Sequence, residues 1–185
     1  MRVISGTAKG KKLNSLQGFE TRPTLDRVKE SIFNVIQFSL NNSIILDLFA
    51  GSGALGIEAL SRGAKEAVFC DNSNKATQII KKNLEETRLI EKAKIINKNY
   101  IQALKQLKEE NKRFDIIFLD PPYKSDYIIK SIKYILEYNL LKQDGIIIVE
   151  TNEKNKIKEI EENKELIVYD TRKYGIAVII FVRKG

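Results

Sequence analysis

The chain has 185 residues, 43% of them apolar, which is enough for one domain to bury a core without disulfides or a structural metal. A single cysteine, Cys70, excludes an internal disulfide or a cysteine-based zinc site and points to a reducing, cytoplasmic compartment, and the absence of histidine removes imidazole bases, Ser-His triads and zinc-histidine sites. A formal charge of +8, from 32 basic against 24 acidic side chains, favours a polyanionic partner: RNA, DNA or anionic lipid.

The charge is concentrated at the start. Residues 1–29 carry seven basic side chains (Arg2, Lys9, Lys11, Lys12, Arg22, Arg27, Lys29) and two acidic ones (Glu20, Asp26), a net of +5. No apolar run approaches the roughly 20 residues of a membrane span, and no signal-peptide core follows Met1. A soluble protein is expected. The glycine-punctuated stretch from Arg2 to Leu16 reads as a small β-hairpin. A helix follows from about Thr24, with Pro23 before it, Thr24 or Asp26 available as cap, and Leu25, Val28, Ile32, Val35 and Ile36 on one face.

From Ile44 onward, short apolar runs alternate with amphipathic stretches, the pattern of βα units around a parallel sheet. The strand candidates are Ile44 to Leu48, Ala67 to Cys70, Lys94 to Asn97, Asp115 to Leu119 and Gly145 to Glu150. Between them, Ala76, Ile79, Ile80 and Leu84 recur at helical spacing behind Ser73, a candidate N-cap, and Leu104 and Leu107 mark a further helix. Leu166 to Thr171 and Ile176 to Val182, separated by Arg-Lys-Tyr-Gly, read as an antiparallel hairpin with Gly175 in the turn. The expected organisation is one domain over 1–185, with 1–40 an extension packed on a core of 41–185.

Two motifs carry chemistry. Asp47-Leu-Phe49-Ala-Gly51-Ser-Gly53-Ala-Leu-Gly56 follows a strand and opens a helix, so its glycines let the backbone approach a ligand. Asp71 ends the next strand, 20 residues beyond Gly51, where its carboxylate could accept ribose hydroxyls. This much fits NAD as well as S-adenosylmethionine. Asp47 separates them: a carboxylate ahead of the loop suits the cationic amino acid end of S-adenosylmethionine, directly or through water, and would repel a pyrophosphate.

The second motif, Asp120-Pro121-Pro122-Tyr123, ends the apolar run from Phe114 to Leu119, at the carboxyl end of a parallel strand where ligands bind. Consecutive prolines stiffen the loop and leave its carbonyls free to accept. Tyr123 can stack on a base. An exocyclic base amine is a poor nucleophile because its lone pair is delocalised. Acceptors at Asp120 and in the proline loop would favour a pyramidal nitrogen aimed at the methyl, and Asp120 can take the proton released after transfer or hand it to water. Asn99, after the third strand, is placed either to accept from an adenine amine or to cap a helix.

Together these residues resemble the bacterial guanine-N2 methyltransferases of small-subunit (16S) ribosomal RNA. The resemblance runs through Arg2-Val-Ile-Ser-Gly6, Gly10-Lys-Lys-Leu13, Thr21-Arg-Pro-Thr24, Asp26-Arg-Val-Lys-Glu30, Phe33-Asn34, the extended glycine loop, Glu58-Ala-Leu-Ser-Arg-Gly-Ala64, Asp120-Pro-Pro-Tyr123 and Tyr174-Gly175. It implies an α/β Rossmann-like class I S-adenosylmethionine-dependent methyltransferase fold: seven mostly parallel strands, an antiparallel C-terminal hairpin and an N-terminal hairpin that helps hold RNA. It implies catalytic and base-binding roles for Asp120, Pro121, Pro122 and Tyr123, and cofactor contacts from Asp47, Phe49, Gly51, Gly53, Asp71, Asn99 and Asp120. RNA contacts would come from Lys9, Lys11, Lys12, Arg22, Thr24 and Arg27. The implied product is S-adenosylhomocysteine, the partner is small-subunit RNA in an assembling 30S particle, and the enzyme acts as a monomer without metal. Two positions depart from the family pattern: Asp71 where glutamate is more usual, and Asn99 where aspartate is. Adenine-N6 methylation of DNA or RNA remains a rival that the tetrapeptide also supports. An NAD-dependent oxidoreductase leaves Asp47 and the proline loop unexplained, and a non-catalytic RNA-binding module leaves unexplained why both motifs are intact.

Overall fold

The computed structural model describes residues 1–15, 23–122 and 126–185, with the backbone alone described for 23–25. Seven strands, β1 (Ile44–Asp47), β2 (Glu66–Asp71), β3 (Ala93–Asn97), β4 (Phe114–Leu119), β5 (Leu141–Thr151), β6 (Leu166–Tyr174) and β7 (Ala177–Lys184), form one sheet. Its order is β3-β2-β1-β4-β5-β7-β6. The first five strands are parallel, and β7 runs antiparallel between β5 and β6. The parallel core and antiparallel terminal hairpin are those that the βα alternation and the hairpin pattern predict, and the seven-stranded arrangement is the Rossmann-like methyltransferase fold that the resemblance implies.

Six helices, α1 (Pro23–Val35), α2 (Ala54–Ser61), α3 (Asn74–Thr87), α4 (Tyr100–Glu109), α5 (Tyr127–Glu137) and α6 (Lys154–Glu161), cover the sheet. Both faces are buried, which is why β1, β2 and β4 read as nearly unbroken apolar runs. One core joins Val28, Ile32 and Phe33 of α1 to Ile57 and Leu60 of α2 and to Ile45, Phe118, Ile148 and Phe181 of the sheet. The other joins Leu104 and Leu107 of α4 and Ile128, Ile132 and Ile135 of α5 to Leu46, Leu119 and Val149. No helix among the described residues is long and apolar enough to cross a membrane.

Several expectations shift in detail. Pro23 is the first residue of α1, not the residue before it, and Asp26 lies in the first turn rather than at the cap; proline suits that place because its missing N–H would have no helical partner there. The N-terminal hairpin reduces to one antiparallel bridge, Arg2 with Lys12, closed by bonds between Val3 and Lys11 and between Gly10 and Val3; Leu16 lies outside the described residues. The β6–β7 turn is two residues, Gly175 and Ile176, because β6 continues to Tyr174 and Gly175 takes φ +59°. The spacing argument above singles out neither α5 nor α6. The second, Lys-Asn-Lys-Ile-Lys-Glu-Ile-Glu, buries only Ile160 and so lacks the apolar stripe that periodicity detects.

Candidate active site

The glycine loop sits where β1 leaves the sheet beside β4, the point at which the strand order reverses and ligands bind in such sheets. Gly51 (φ +54°) and Gly53 (φ +78°) are both left-handed, and the space a Cβ would enter at Gly51 is open to 4 Å. Two acids brace this loop from below. Asp47, buried at the tip of β1, accepts from the N–H of Gly56 at 3.0 Å, one of the first-turn groups of α2 that lack a helical partner. Asp71 accepts from Gly51 N–H and from Ser73 N–H, each at 2.9 Å, and so ties the loops after β1 and β2 together. Burial pushes the Asp47 carboxyl up to about 7, with Asp71 adding repulsion against the stabilising Gly56 N–H. Both acids thus belong to the scaffold of the loop, and carboxylate oxygens that each accept one N–H keep lone pairs for a ligand.

Gly56 answers to packing instead. A Cβ there would meet the Phe69 ring at 2.3 Å, so its absence lets α2 lie against β2.

Asp120 follows the last residue of β4. Asp47 is in register with Phe118, and Leu119 with Val149 of β5. Leu119 and Val149 face the α4/α5 core, so strand alternation turns Asp120, together with Glu150 at the end of β5, toward the α1/α2 face, the side that Asp47 shares with Ile45. Crowding by protein, then the like charges of Glu150 and Asp47, push the Asp120 carboxyl well above the ordinary carboxylate range. The residue is nevertheless exposed to solvent, so water weakens the first cause and the like charges of Glu150 and Asp47 carry more of the shift. Pro121 is buried and Pro122 exposed. Tyr123 lies outside the described residues.

On the opposite face of the sheet, three rings from three loops meet. Phe49 follows β1, Tyr100 begins α4 and Tyr127 begins α5. Their centroids lie 5.6 Å (Phe49–Tyr100), 6.0 Å (Phe49–Tyr127, planes within 2°) and 4.9 Å (Tyr100–Tyr127) apart. Of these, the sequence reading names Phe49 alone; the tyrosines follow different strands, and nothing local links them. Asn99 is a helix cap, its Oδ1 accepting from Gln102 N–H at 3.0 Å, with its Nδ2 group not used in that bond.

The N-terminal basic residues divide. Lys9, Lys11, Lys12 and Arg27 are exposed; Arg22 and the side chain of Thr24 lie outside the described residues. The turn that carries Lys9 is not beside the crevice, because Thr7 and Ala8 bond Ser61 at the C-terminal end of α2, roughly 12 Å along that helix from the glycine loop. Lys29, one of the seven cations of the basic segment, lies inside the protein. It is 4% exposed and pairs at 3.2 Å with Glu58, which is itself fully buried.

Glu58 also accepts from Ile4 N–H (2.8 Å), Ser5 N–H (3.0 Å) and Arg62 Nε (2.8 Å), so it fastens the N-terminal segment to α2. Asn83 makes a second fastening that the sequence reading does not contain. Buried in α3, it accepts from Asn14 N–H at 2.7 Å and donates to Asn14 O at 3.0 Å and to Ser52 O, inside the glycine loop, at 2.9 Å. Ser31 of α1 contacts the Tyr174 hydroxyl and receives a 3.3 Å bond from Arg172, which joins α1 to the C-terminal hairpin. Among the described residues no group of three acids or cysteines is arranged to hold a metal ion.

Comparison with known proteins agrees with this architecture. The YlbH protein of Bacillus subtilis is 41% identical over 186 aligned residues, covering 100% of both chains. The ribosomal RNA small subunit methyltransferase D of Haemophilus influenzae is 40% identical over 90% of this chain and 86% of its own. The structure of the Escherichia coli yhhF protein superposes with a TM-score of 0.88 at 30% identity, over 100% of this chain and 97% of that one. The family described as conserved hypothetical protein 95 matches residues 1–183. The chain belongs to that family, whose relatives include the ribosomal RNA small subunit methyltransferase D proteins.

Proposed function

We propose that this protein transfers a methyl group from S-adenosylmethionine to the exocyclic N2 of a guanine in small-subunit ribosomal RNA. It acts in the cytoplasm as a monomeric single domain, on RNA in a partly assembled particle. The observation that carries the reading is the adjacency of an open glycine loop and an Asp-Pro-Pro turn on neighbouring parallel strands, with Asp47 two residues below Asp120 in register. The name of the Haemophilus influenzae relative supports ribosomal RNA as substrate.

The residues fit the cofactor. The open space at Gly51 admits a ligand against the backbone, the lone pairs of Asp71 suit ribose hydroxyls, Asp47 suits an ammonium group, and the Phe49 ring, packed on Tyr100, offers a flat apolar wall for a base, with Asn99 as the residue before Tyr100. Bound there, S-adenosylmethionine supplies an electrophilic methyl on a sulfonium, whose leaving group is neutral and needs no acid. Asp120 and the proline-turn carbonyls then hold the amine N–H groups so that the nitrogen lone pair faces the methyl. Tyr123 stacks on the target base, and Arg22, Thr24 and Arg27, with the exposed lysines, contact the RNA backbone.

The test is transfer of labelled methyl to small ribosomal subunits from an unmethylated strain, followed by nucleoside analysis. N2-methylguanosine is expected; N6-methyladenosine would move the assignment to adenine. Asp120→Ala should retain S-adenosylhomocysteine binding and lose at least about a hundredfold in rate. Full activity in that variant would remove Asp120 from the chemistry.

A further inference from the structure

Asp120 does not stand alone at the edge of the sheet. Glu150 lies one residue beyond the Leu119–Val149 pair, the last in register between two parallel strands that run about 4.8 Å apart, and continued strand alternation directs both acids to the same face. Asp47 completes a trio of acids from three neighbouring strands. Like charges on neighbouring strand ends oppose each other's ionisation, and Glu150 is among the charges that raise Asp120.

Among the described residues, the other titratable groups on this face either have partners of their own or are exposed. Ile179 is the β7 residue in register with Glu150, and Arg172, beyond it on β6, bonds Asp170 at 3.0 Å and Ser31 of α1 at 3.3 Å. Tyr174 contacts Ser31. Lys29 of α1 and Arg62 meet Glu58 of α2, Asp26 lies 3.9 Å from Arg2, and Arg27 and Glu30 are exposed.

We propose that Glu150 is a positioning and relay residue of the methyl-transfer site, acting through Asp120: it shares a proton with Asp120 and passes onward the proton that Asp120 receives from the methylated amine. This rests on the methyl-transfer reading above. As the nitrogen–carbon bond forms, the carbon–sulfur bond breaks with its electron pair left on sulfur. The nitrogen–hydrogen bond then breaks with its pair left on nitrogen, and the proton moves to Asp120, to Glu150 and to water. Asp120 is thereby returned to the ionised form that holds the next amine.

The experiment compares wild type, Glu150→Gln and Glu150→Asp in single-turnover methyl transfer across pH 5–9, with S-adenosylhomocysteine affinity measured in parallel. Glu150→Gln should slow transfer by about tenfold or more, leave the inhibitor affinity within about twofold, and move the acid limb of the rate profile to lower pH, since the like charge that raises Asp120 is gone. Glu150→Asp should restore most of the rate and keep the limb near its wild-type position. An unshifted limb with a wild-type rate overturns the proposal, as does equal loss of rate and inhibitor affinity without a shift. Should Glu150→Gln fail to fold, carboxyl ¹³C titration of the wild-type protein decides. Two steps, each felt at both Asp120 and Glu150, support the pair; a single isolated step at Asp120 overturns it. That titration needs no RNA, so it stays informative if the nucleoside analysis finds adenine methylated instead of guanine.

Discussion

Removing Glu58 should be among the most damaging single changes outside the crevice. Its side chain, 0% exposed, holds four donors: Ile4 N–H, Ser5 N–H, Arg62 and Lys29, itself 4% exposed. Burial already drives the Lys29 ammonium below its ordinary pKa against the pull of Glu58, so Glu58→Ala leaves a desolvated cation without its counter-charge. Breaking a buried pair from one side costs about 3–5 kcal/mol. Unfolding entropy of roughly 2.1 cal/mol/K per residue over a chain of this length makes about 4 kcal/mol worth about 10 °C in Tm. Lys29→Met is the control: it removes the costly cation and leaves Glu58 three donors, so the loss should stay below about 1 kcal/mol. Denaturant unfolding of both single variants and the double variant measures the asymmetry, and the double variant should recover part of what Glu58→Ala loses. The reasoning fails if Lys29→Met is as damaging as Glu58→Ala, or if Glu58→Ala unfolds within about 1 kcal/mol of wild type.

Three further outcomes follow from the same geometry. Gly56→Ala drives a methyl to 2.3 Å from the fully buried Phe69 ring and should cost about 1–3 kcal/mol by overpacking; an unchanged Tm would mean that α2 lifts freely from β2. For Asp47, the folded pKa of about 7 exceeds the unfolded value near 4, so the folded state holds the extra proton, and this group's contribution to stability is full below about pH 4 and lost as pH rises through about 7. Asp47→Asn should therefore gain stability relative to wild type at pH 8 and gain none at pH 4, read from urea midpoints; equal differences at both pH values would count against a raised Asp47. Asn83→Ala unfastens Ser52 from α3 and should weaken S-adenosylhomocysteine binding about tenfold, or 1.4 kcal/mol, by calorimetry; unchanged affinity would show that the loop keeps its shape unaided.

Much of the machinery is legible in short windows because it is local. Four apolar runs of the sequence are each followed directly by an acid: Leu46-Asp47, Cys70-Asp71, Leu119-Asp120 and Val149-Glu150. The first three attract notice through their glycine, ribose-spacing and proline contexts. Glu150 has the same pattern without a motif behind it, and that repetition is the signal that could have marked it. Ser73 caps α3 as its position predicts, accepting from Ala76 N–H at 3.3 Å. At Asn99 the cap reading describes a bond that exists, and its reach toward a cofactor belongs to the proposal.

What the sequence by itself determined was the order and type of most elements, the glycine loop and the Asp-Pro-Pro turn, because apolar periodicity, capping and proline stiffness act over a few residues. Only the tertiary structure decided which acids meet. Strand alternation sets the side a residue takes, but β4 lies between β1 and β5 because both helical layers must be buried at once. The same holds for Lys9 and Lys29, cations of one basic segment. One stays in water and the other is taken inside, since only Lys29 finds a buried carboxylate, Glu58, across the packed face of α2.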